Sequence, residues 1–238
     1  LVGSEMCIRD SSSIADDGTQ QCVITDPQGN EHKLVLPMPG RFNVANALVA
    51  LAVSELAGLP IEDALAGIAH VVVPGRLQRI DEGQDYLAIV DYAHKPAAVA
   101  AVIATLRSEI KGRLCVVLGA GGDRDASKRA IMGREAARGS DLFIVTDDNP
   151  RSEDPAVIRA AVEAGAYELP TEERGEVRNI GDRAAAIRAA IAWAEPGDAV
   201  LVAGKGHETG QNVNGVIHHF DDREEVRAAL QERRTGSL

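Results

Sequence analysis

Aromatic residues are scarce in this chain, with three Phe, three Tyr and one Trp among 238 residues. Its hydrophobic core must therefore be built mainly from Ala, Val, Leu and Ile, which are commonly buried in proteins. No apolar run approaches the roughly 18 residues that a membrane-spanning helix needs. The sequence therefore predicts a globular protein without a membrane span.

Cysteines and basic residues are also few. Three cysteines, Cys7, Cys22 and Cys115, form no CxxC pair and have no His at zinc-site spacing. This pattern predicts a reduced, cytoplasmic chain with no disulfide framework and no zinc site. The net charge of -11 argues against a nucleic-acid partner or an anionic membrane surface, since both favour basic proteins. A local cluster of amides and cations could still bind a phosphate.

The first residues, LVGSEMCIRDS, do not begin with Met and lack the basic start and apolar segment of a signal peptide. They resemble a translated sequencing adapter more than protein. Residues 1–11 are therefore interpreted as a non-native artefact. On that interpretation the chain is the end of a longer protein.

The sequence pattern of residues 12–73 predicts a small unit that contains both strands and helices. QCVITDPQGNEHKLVLPMPG reads as two strands around a turn at residues 26–30. NVANALVALAVSELAGLP has apolar residues at helical spacing and stops at Gly58 and Pro60. IEDALAGIAHV predicts a second helix. The segment VVVPGR breaks the pattern, so we expect a domain boundary near residues 73 and 74.

Residues 74–238 alternate between apolar strands and helices. Strands are expected at 86–90, 114–118, 142–145, 177–180 and 199–202, and helices at 97–110, 128–138, 155–165, 182–194 and 222–233. Pro155 should begin its helix and Gly165 should end it, and Asn214-Gly215 should form a hairpin turn. This order predicts an α/β domain with a Rossmann-like, mostly parallel sheet and helices on both faces.

Polar clusters follow four of these strands, where parallel sheets bind their ligands. The segment DYAHKP follows residue 90. Asp91 and His94 could touch a ligand there. Alternatively, Asp91 could cap the next helix and His94 could lie on the surface. After residue 203 comes GKGHETGQ, in which Lys205, His207 and Glu208 should point to the same edge.

The glycine-rich segment GAGGDRDASKR follows residue 118. Its glycines allow the backbone to approach an anion, and the next helix begins with free N–H groups. Lys128 and Arg129 add positive charge. The segment is not a Walker A loop, because GxxxxGK[ST] is absent from the chain.

The segment TDDNPR follows residue 145. Arginine binds a carboxylate through a planar fork, and Asp148 and Asn149 can accept hydrogen bonds from an ammonium. Together they would suit the zwitterionic end of an amino acid. The alternative is that Asp147 or Asp148 caps a helix and Arg151 makes a surface ion pair of little energetic value.

Six segments occur in the order and spacing of one family: GRFNVANALVA, PGRLQRID, VDYAHKP, GAGGDRDASKR, TDDNPRSEDP and AGKGHETGQ. From about residue 14 to 235 the chain resembles the Mur ligases of peptidoglycan synthesis and cell-wall biogenesis. The DNPR form resembles the members that add meso-diaminopimelate. The resemblance implies that residues 12–73 end a central ATP-binding domain and that residues 74–238 form the C-terminal domain.

The resemblance also implies a reaction and a set of site residues. ATP and Mg²⁺ would serve to phosphorylate UDP-N-acetylmuramoyl-L-alanyl-D-glutamate, and the amine of meso-diaminopimelate would then form the amide. The implied diaminopimelate site comprises Arg124, Asp148, Asn149, Pro150, Arg151, Gly204 and Glu208. The implied ATP contacts are Asn46, Arg76, Asp91 and His94.

The family's GTxGKT phosphate loop, magnesium ligands and carbamylated lysine have no counterpart here. We therefore expect the chain to be inactive by itself, and no catalytic residue is assigned within it. Two alternatives remain open at this stage. The chain could derive from another Mur ligase or a folylpolyglutamate synthetase-like ligase, or it could be a non-catalytic module that binds an amino acid or a nucleotide.

Overall fold

The computed structural model describes residues 7–14, 19–26, 28–38 and 40–238. The chain divides into two compact units between Val73 and Pro74. Residues 1–6 of the segment set aside as an artefact lie outside the described residues. Among the described residues, no helix combines the length and apolar character needed to cross a membrane. The assignment of the two units to particular ligase domains stays a prediction.

The first unit is a three-stranded antiparallel sheet with two helices. Its strands β1 (Cys7–Ile14), β2 (Gln20–Thr25) and β3 (Glu31–Leu36) lie in that order, followed by helices α1 (Arg41–Leu56) and α2 (Ile61–Ile68). Ile24 and Leu34 are fully buried and form a core with residues of both helices. The predicted hairpin and both helices are confirmed. Strand β1 was not expected, because part of it falls in the segment that was set aside.

The turn between β2 and β3 carries a pH-sensitive cluster. His32 Nε2 lies 3.0 Å from Asp26 Oδ2, and His32 Nδ1 lies 3.3 Å from Glu62 Oε1. The hydrogen bond to Asp26 raises the pKa of His32, and the same bond, together with bonds from Asn30, lowers the pKa of Asp26 to about 2. The imidazolium is thus favoured in the folded state.

This cluster predicts a pH-dependent stability difference. A raised His32 pKa stabilises the fold fully below the unfolded value of about 6.5, and the gain is lost as pH rises through the folded pKa. The difference in thermal midpoint between the wild-type chain and His32→Gln should therefore shrink from pH 6 to pH 9. His70→Gln, on the same unit, is the control. A difference that stays constant over this range would contradict the prediction.

The second unit contains a six-stranded sheet in the order β4-β5-β9-β6-β7-β8. Its strands are β4 (Gln78–Arg79), β5 (Leu87–Asp91), β6 (Leu114–Leu118), β7 (Leu142–Val145), β8 (Glu176–Asn179) and β9 (Ala199–Ala203). All neighbours are parallel except β4, which runs antiparallel to β5. The predicted mostly parallel α/β sheet is confirmed, and β4 was missed because it has only two residues.

Helices cover both faces of this sheet. Helices α3 (Pro96–Glu109), α4 (Lys128–Gly139) and α5 (Pro155–Tyr167) pack on one face, and α6 (Arg183–Trp193) and α7 (Asp222–Arg234) pack on the other. The connection after β8 crosses to the other face of the sheet through α6, and β9 is then inserted between β5 and β6. Such a switch in strand order opens a crevice at the carboxyl ends of the strands.

Gly165 does not end its helix, so that prediction was wrong. Helix α5 continues to Tyr167, and Gly165 lies against helix α4 instead. A Cβ on Gly165 would lie 1.8 Å from the carbonyl oxygen of Ala130, and one on Gly133 would lie 1.8 Å from that of Val162. These glycines are therefore required for the close approach of two helices.

The predicted hairpin is confirmed as β10 (Gly210–Val213) and β11 (Val216–His219). Asn214 and Gly215 have φ angles of +50° and +80°. Positive φ at both central residues is characteristic of the two-residue type I′ turn, which Asn-Gly favours.

Candidate functional site

The carboxyl ends of four neighbouring strands, β5, β9, β6 and β7, surround one cavity of about 340 Å³ in the second unit. Its lining residues are Tyr92, His94, Gly119, Ala120, Gly121, Arg124, Lys128, Met132, Asp148, Asn149, Arg151, Gly204 and Glu208. The polar clusters that follow these four strands in the sequence therefore meet at one place.

Six of the seven residues implied for diaminopimelate line this cavity, and so does His94 from the implied ATP set. Pro150 does not line it. Its carbonyl oxygen packs against the glycine turn, where a Cβ on Gly122 would lie 2.0 Å away. Asn46 lies in the other unit and is exposed on α1. The ligand roles of all these residues stay predictions.

Asp148 is a nearly buried carboxylate without a hydrogen-bond partner among the described residues. The residue is 8% exposed. Gly204, with φ of +113°, leaves room for it, because a Cβ there would lie 2.9 Å from Asp148 Oδ2. The charge of the buried Arg183 guanidinium acts on this carboxylate, but no donor bonds to it directly, and a desolvated carboxylate without hydrogen bonds is costly. This arrangement therefore favours a cationic ligand group.

Arg151 supplies a cation to the same cavity from an unusual backbone conformation. Its φ is +53°, which is uncommon for a residue other than glycine. Its Nη1 donates to the carbonyl of Gly122 at 2.7 Å, and a Cβ on Gly121 would lie only 2.8 Å from Nη1. Since arginine has five N–H donors, most of its fork remains available to a carboxylate.

The glycine turn after β6 contributes fewer ligand groups than its sequence indicates. Arg124 is exposed, lines the cavity and has no ion pair among the described residues. Lys128 also lines the cavity, and its Nζ lies 3.4 Å from the carbonyl of His94. In contrast, Arg129 is 4% exposed and paired with Glu153 at 2.8 Å, so its expected role beside an anion is wrong.

The two aspartates of this turn have local roles. Asp123 accepts a hydrogen bond from the Ser152 hydroxyl at 2.6 Å, and Asp125 accepts one from the Ser127 hydroxyl at 2.6 Å. These bonds connect the turn to the segment after β7 and to the start of α4. The aspartates therefore shape the loop that presents Arg124.

Lys205 lies beneath the cavity instead of lining it. Its side chain is fully buried, and Nζ donates to Asn149 Oδ1 at 3.2 Å, Glu208 Oε2 at 3.2 Å and Gly210 O at 2.7 Å. These three bonds use all three ammonium donors. Lys205 thus lies beside Glu208 at this edge, but its ammonium is used by protein groups.

The bond from Lys205 fixes the orientation of the Asn149 amide. Asn149 Oδ1 accepts from both Lys205 and the Asn212 amide, and Asn149 Nδ2 donates to Glu208 Oε2 at 2.9 Å. The Asn149 oxygen is therefore occupied by protein donors. Asp148 is the better placed of the two residues to accept from a ligand ammonium.

Asp91 does not line the cavity and does not cap helix α3. It is 7% exposed, and its carboxylate accepts from the amides of Leu77 and Ala93, each at 2.7 Å. Burial raises the pKa of this carboxyl group. The bond from Leu77 holds a residue with φ of +42°, so the aspartate has a structural role in shaping the loop before β4.

Arg76 lies over an aromatic cluster beside the cavity. Its guanidinium carbon is 4.6 Å from the centre of the Tyr92 ring. The same ring lies 4.6 Å from that of His94 and 5.1 Å from that of His207. His207 is exposed and does not line the cavity, although the sequence placed it at the same edge.

The second unit thus has the architecture of an α/β ligand-binding domain with a doubly wound sheet and a mixed-charge cavity at the strand switch. A family model described as "Mur ligase, glutamate ligase domain" matches residues 75–206. The chain belongs to the Mur ligase family.

Particular relatives share a single name, UDP-N-acetylmuramoyl-L-alanyl-D-glutamate–2,6-diaminopimelate ligase. The Corynebacterium glutamicum protein is 58% identical over 95% of this chain and 44% of its own length. The Streptomyces coelicolor protein is 52% identical over 88% of this chain and 42% of its own length. A solved structure of that name is 36% identical, with a TM-score of 0.68, and the match covers 98% of this chain and 47% of the solved one. The chain therefore spans less than half the length of these relatives.

Proposed function

We propose that this chain carries the amino-acid-binding part of an ATP-dependent ligase that joins meso-diaminopimelate to UDP-N-acetylmuramoyl-L-alanyl-D-glutamate in the cytoplasm. The observation that carries the proposal is the cavity at the four strand ends. It combines Asp148, a carboxylate without a hydrogen-bond partner among the described residues, with the guanidinium groups of Arg151 and Arg124. The names and identities of the relatives support the same substrate class.

The charges of the cavity fit a molecule with an amino-acid group at each end. Arg151 would bind the distal carboxylate through its fork, and Asp148 would accept from the distal ammonium. Arg124 would meet the carboxylate next to the reacting amine. Glu208 is already neutralised in part by buried Lys205, so its contribution is weaker than its formal charge. Held at both ends, the amine would be positioned for attack on an activated acyl group.

ATP would supply the phosphoryl group that activates the acceptor carboxylate. The contacts proposed for the nucleotide are Asn46, Arg76, Asp91 and His94. Arg76 and the Tyr92 ring offer a cation and a flat surface, whereas Asp91 has both carboxylate oxygens bonded to backbone amides. The described residues contain no group of three or more His, Cys, Asp or Glu that could hold a metal.

Calorimetry with the two diamines tests the proposal. The chain should bind meso-diaminopimelate more tightly than L-lysine, because lysine has no distal carboxylate and would leave Arg151 unpaired in a partly desolvated site. An unpaired buried charge costs about 2–5 kcal/mol, which corresponds to roughly thirtyfold or more in affinity. Equal affinities for the two diamines would contradict the proposal.

A further inference from the structure

The hairpin β10–β11 is bonded to the segment that carries Arg151. The Arg151 amide donates to the carbonyl of Asn212 at 3.0 Å, and the Asn214 amide donates to the carbonyl of Arg151 at 2.7 Å. Arg151 also forms an isolated parallel bridge with Val213. Both backbone groups of the arginine are therefore used by the hairpin.

The same strand bonds to two further cavity residues. Gln211 Nε2 donates to the carbonyl of Asp148 at 2.7 Å, and the Asn212 amide donates to Asn149 Oδ1 at 2.9 Å. The carbonyl of Gly210 accepts from buried Lys205. Strand β10 thus bonds to Asp148, Asn149 and Arg151 and to the lysine beneath them.

These contacts explain how Arg151 keeps its backbone conformation. A residue with a Cβ at positive φ is strained, and such a conformation persists only where the surroundings impose it. The two backbone bonds to the hairpin impose it here. If they loosened, the backbone would relax towards negative φ and the guanidinium would leave its place beside Gly122.

We propose that the hairpin β10–β11 is the positioning element that sets amino-acid selectivity at this cavity. The hairpin fixes the left-handed backbone conformation of Arg151. That conformation positions the guanidinium group, which distinguishes a diamine with a distal carboxylate from lysine. The inference rests on the proposed function and extends it to a segment that does not react. Val216 and Ile217, which directly follow the turn, are exposed.

The hairpin turn allows a test at residues that do not line the cavity. Gly215 has φ of +80°, and a Cβ added there would have no atom within 4 Å. Gly215→Val therefore adds no clash, but it strains the turn, because β-branched residues disfavour positive φ. Gly215→Asn is the matched control, since asparagine tolerates this conformation.

The experiment compares calorimetric affinities for meso-diaminopimelate and L-lysine in the full chain. Gly215→Val should lower the ratio of the two affinities by about tenfold, mainly by weakening diaminopimelate binding, and Gly215→Asn should keep the wild-type ratio. Asn214→Ala strains the same turn more mildly and should lower the ratio in the same direction, which covers the case that Gly215→Val does not fold. An unchanged ratio in a folded variant would overturn the inference.

Amide hydrogen exchange separates this inference from the proposed function. If the wild-type chain bound neither diamine, the proposed function would fail. The effect of the hairpin on the Arg151 backbone would still be measured by the exchange rate of the Arg151 amide, which donates to the carbonyl of Asn212. Faster exchange in Gly215→Val than in Gly215→Asn would support the conclusion that the hairpin fixes the Arg151 backbone, and equal rates would refute it.

Discussion

Replacement of Arg151 with alanine is expected to reduce meso-diaminopimelate affinity by roughly thirtyfold or more, whereas L-lysine affinity should rise, because L-lysine no longer leaves an arginine unpaired. The distal carboxylate would lose its bidentate partner in a cavity that also contains the nearly buried Asp148. Because arginine already has a Cβ, the substitution adds no new backbone penalty at φ of +53°. The measurement is calorimetry of both diamines with the wild-type chain and the variant.

Two further variants make this result specific. Arg151→Lys keeps the charge but loses the planar fork, so its affinity should lie between those of the wild-type chain and the alanine variant. Arg138→Ala removes an exposed arginine paired with Glu135 at the end of α4, and it should change neither affinity. If Arg151→Ala bound diaminopimelate as tightly as the wild-type chain, the substrate assignment would be wrong.

Removal of the Asp222 carboxylate should destabilise the second unit by about 3–5 kcal/mol, because it leaves the Arg183 guanidinium buried without its partner. Both side chains are fully buried, and the guanidinium bonds to both carboxylate oxygens at 2.7 Å. Arg183 also donates to the carbonyls of Ala203 and Asp147, which directly precede two cavity residues. The pair therefore lies at the base of the proposed site.

Denaturant unfolding of Asp222→Ala checks this value. The control is Glu224→Ala, which removes an exposed partner of His219 and should change the free energy of unfolding little. The double variant Arg183→Met with Asp222→Leu should recover much of the lost stability, since well-packed apolar residues can replace a buried ion pair. A loss below about 1 kcal/mol in Asp222→Ala would contradict the prediction.

Local chemistry made most elements of the second unit predictable. Strands β6 and β7 have the predicted bounds, since both are continuous apolar runs between turns. Asp182 caps α6 by accepting from the Ala185 amide, as its position before the helix indicates. Gly165 was misread because a glycine needed for helix packing looks the same in sequence as one that ends a helix.

The order of the strands was beyond the reach of sequence pattern. Nothing in the run Ala199–Ala203 indicates that it lies between β5 and β6. That position depends on which helices cover each face, and the chain's periodicity does not encode it. The sequence could nevertheless place polar clusters at strand ends, because all parallel strands present the same end to one edge.

Sequence reasoning found the charged residues at the site but not the partners that bind them. Asp91 and Lys205 were both expected at a ligand, and both are engaged by protein groups. The Asn214-Gly215 pair indicated a hairpin, yet the bonds of this hairpin to Arg151 are long-range backbone contacts without a side-chain signature. The residues of β10 therefore gave no sign of this role.

The central place of β9 has a consequence for how the protein is made. Val200 and Leu201 pair with β5 on one side and β6 on the other, so these two early strands have no direct contact in the sheet. A ribosome must therefore release most of the second unit before its middle strand exists. Until then, the apolar edges of β5 and β6 stay uncovered, and such unpaired edges invite aggregation and chaperone binding during synthesis.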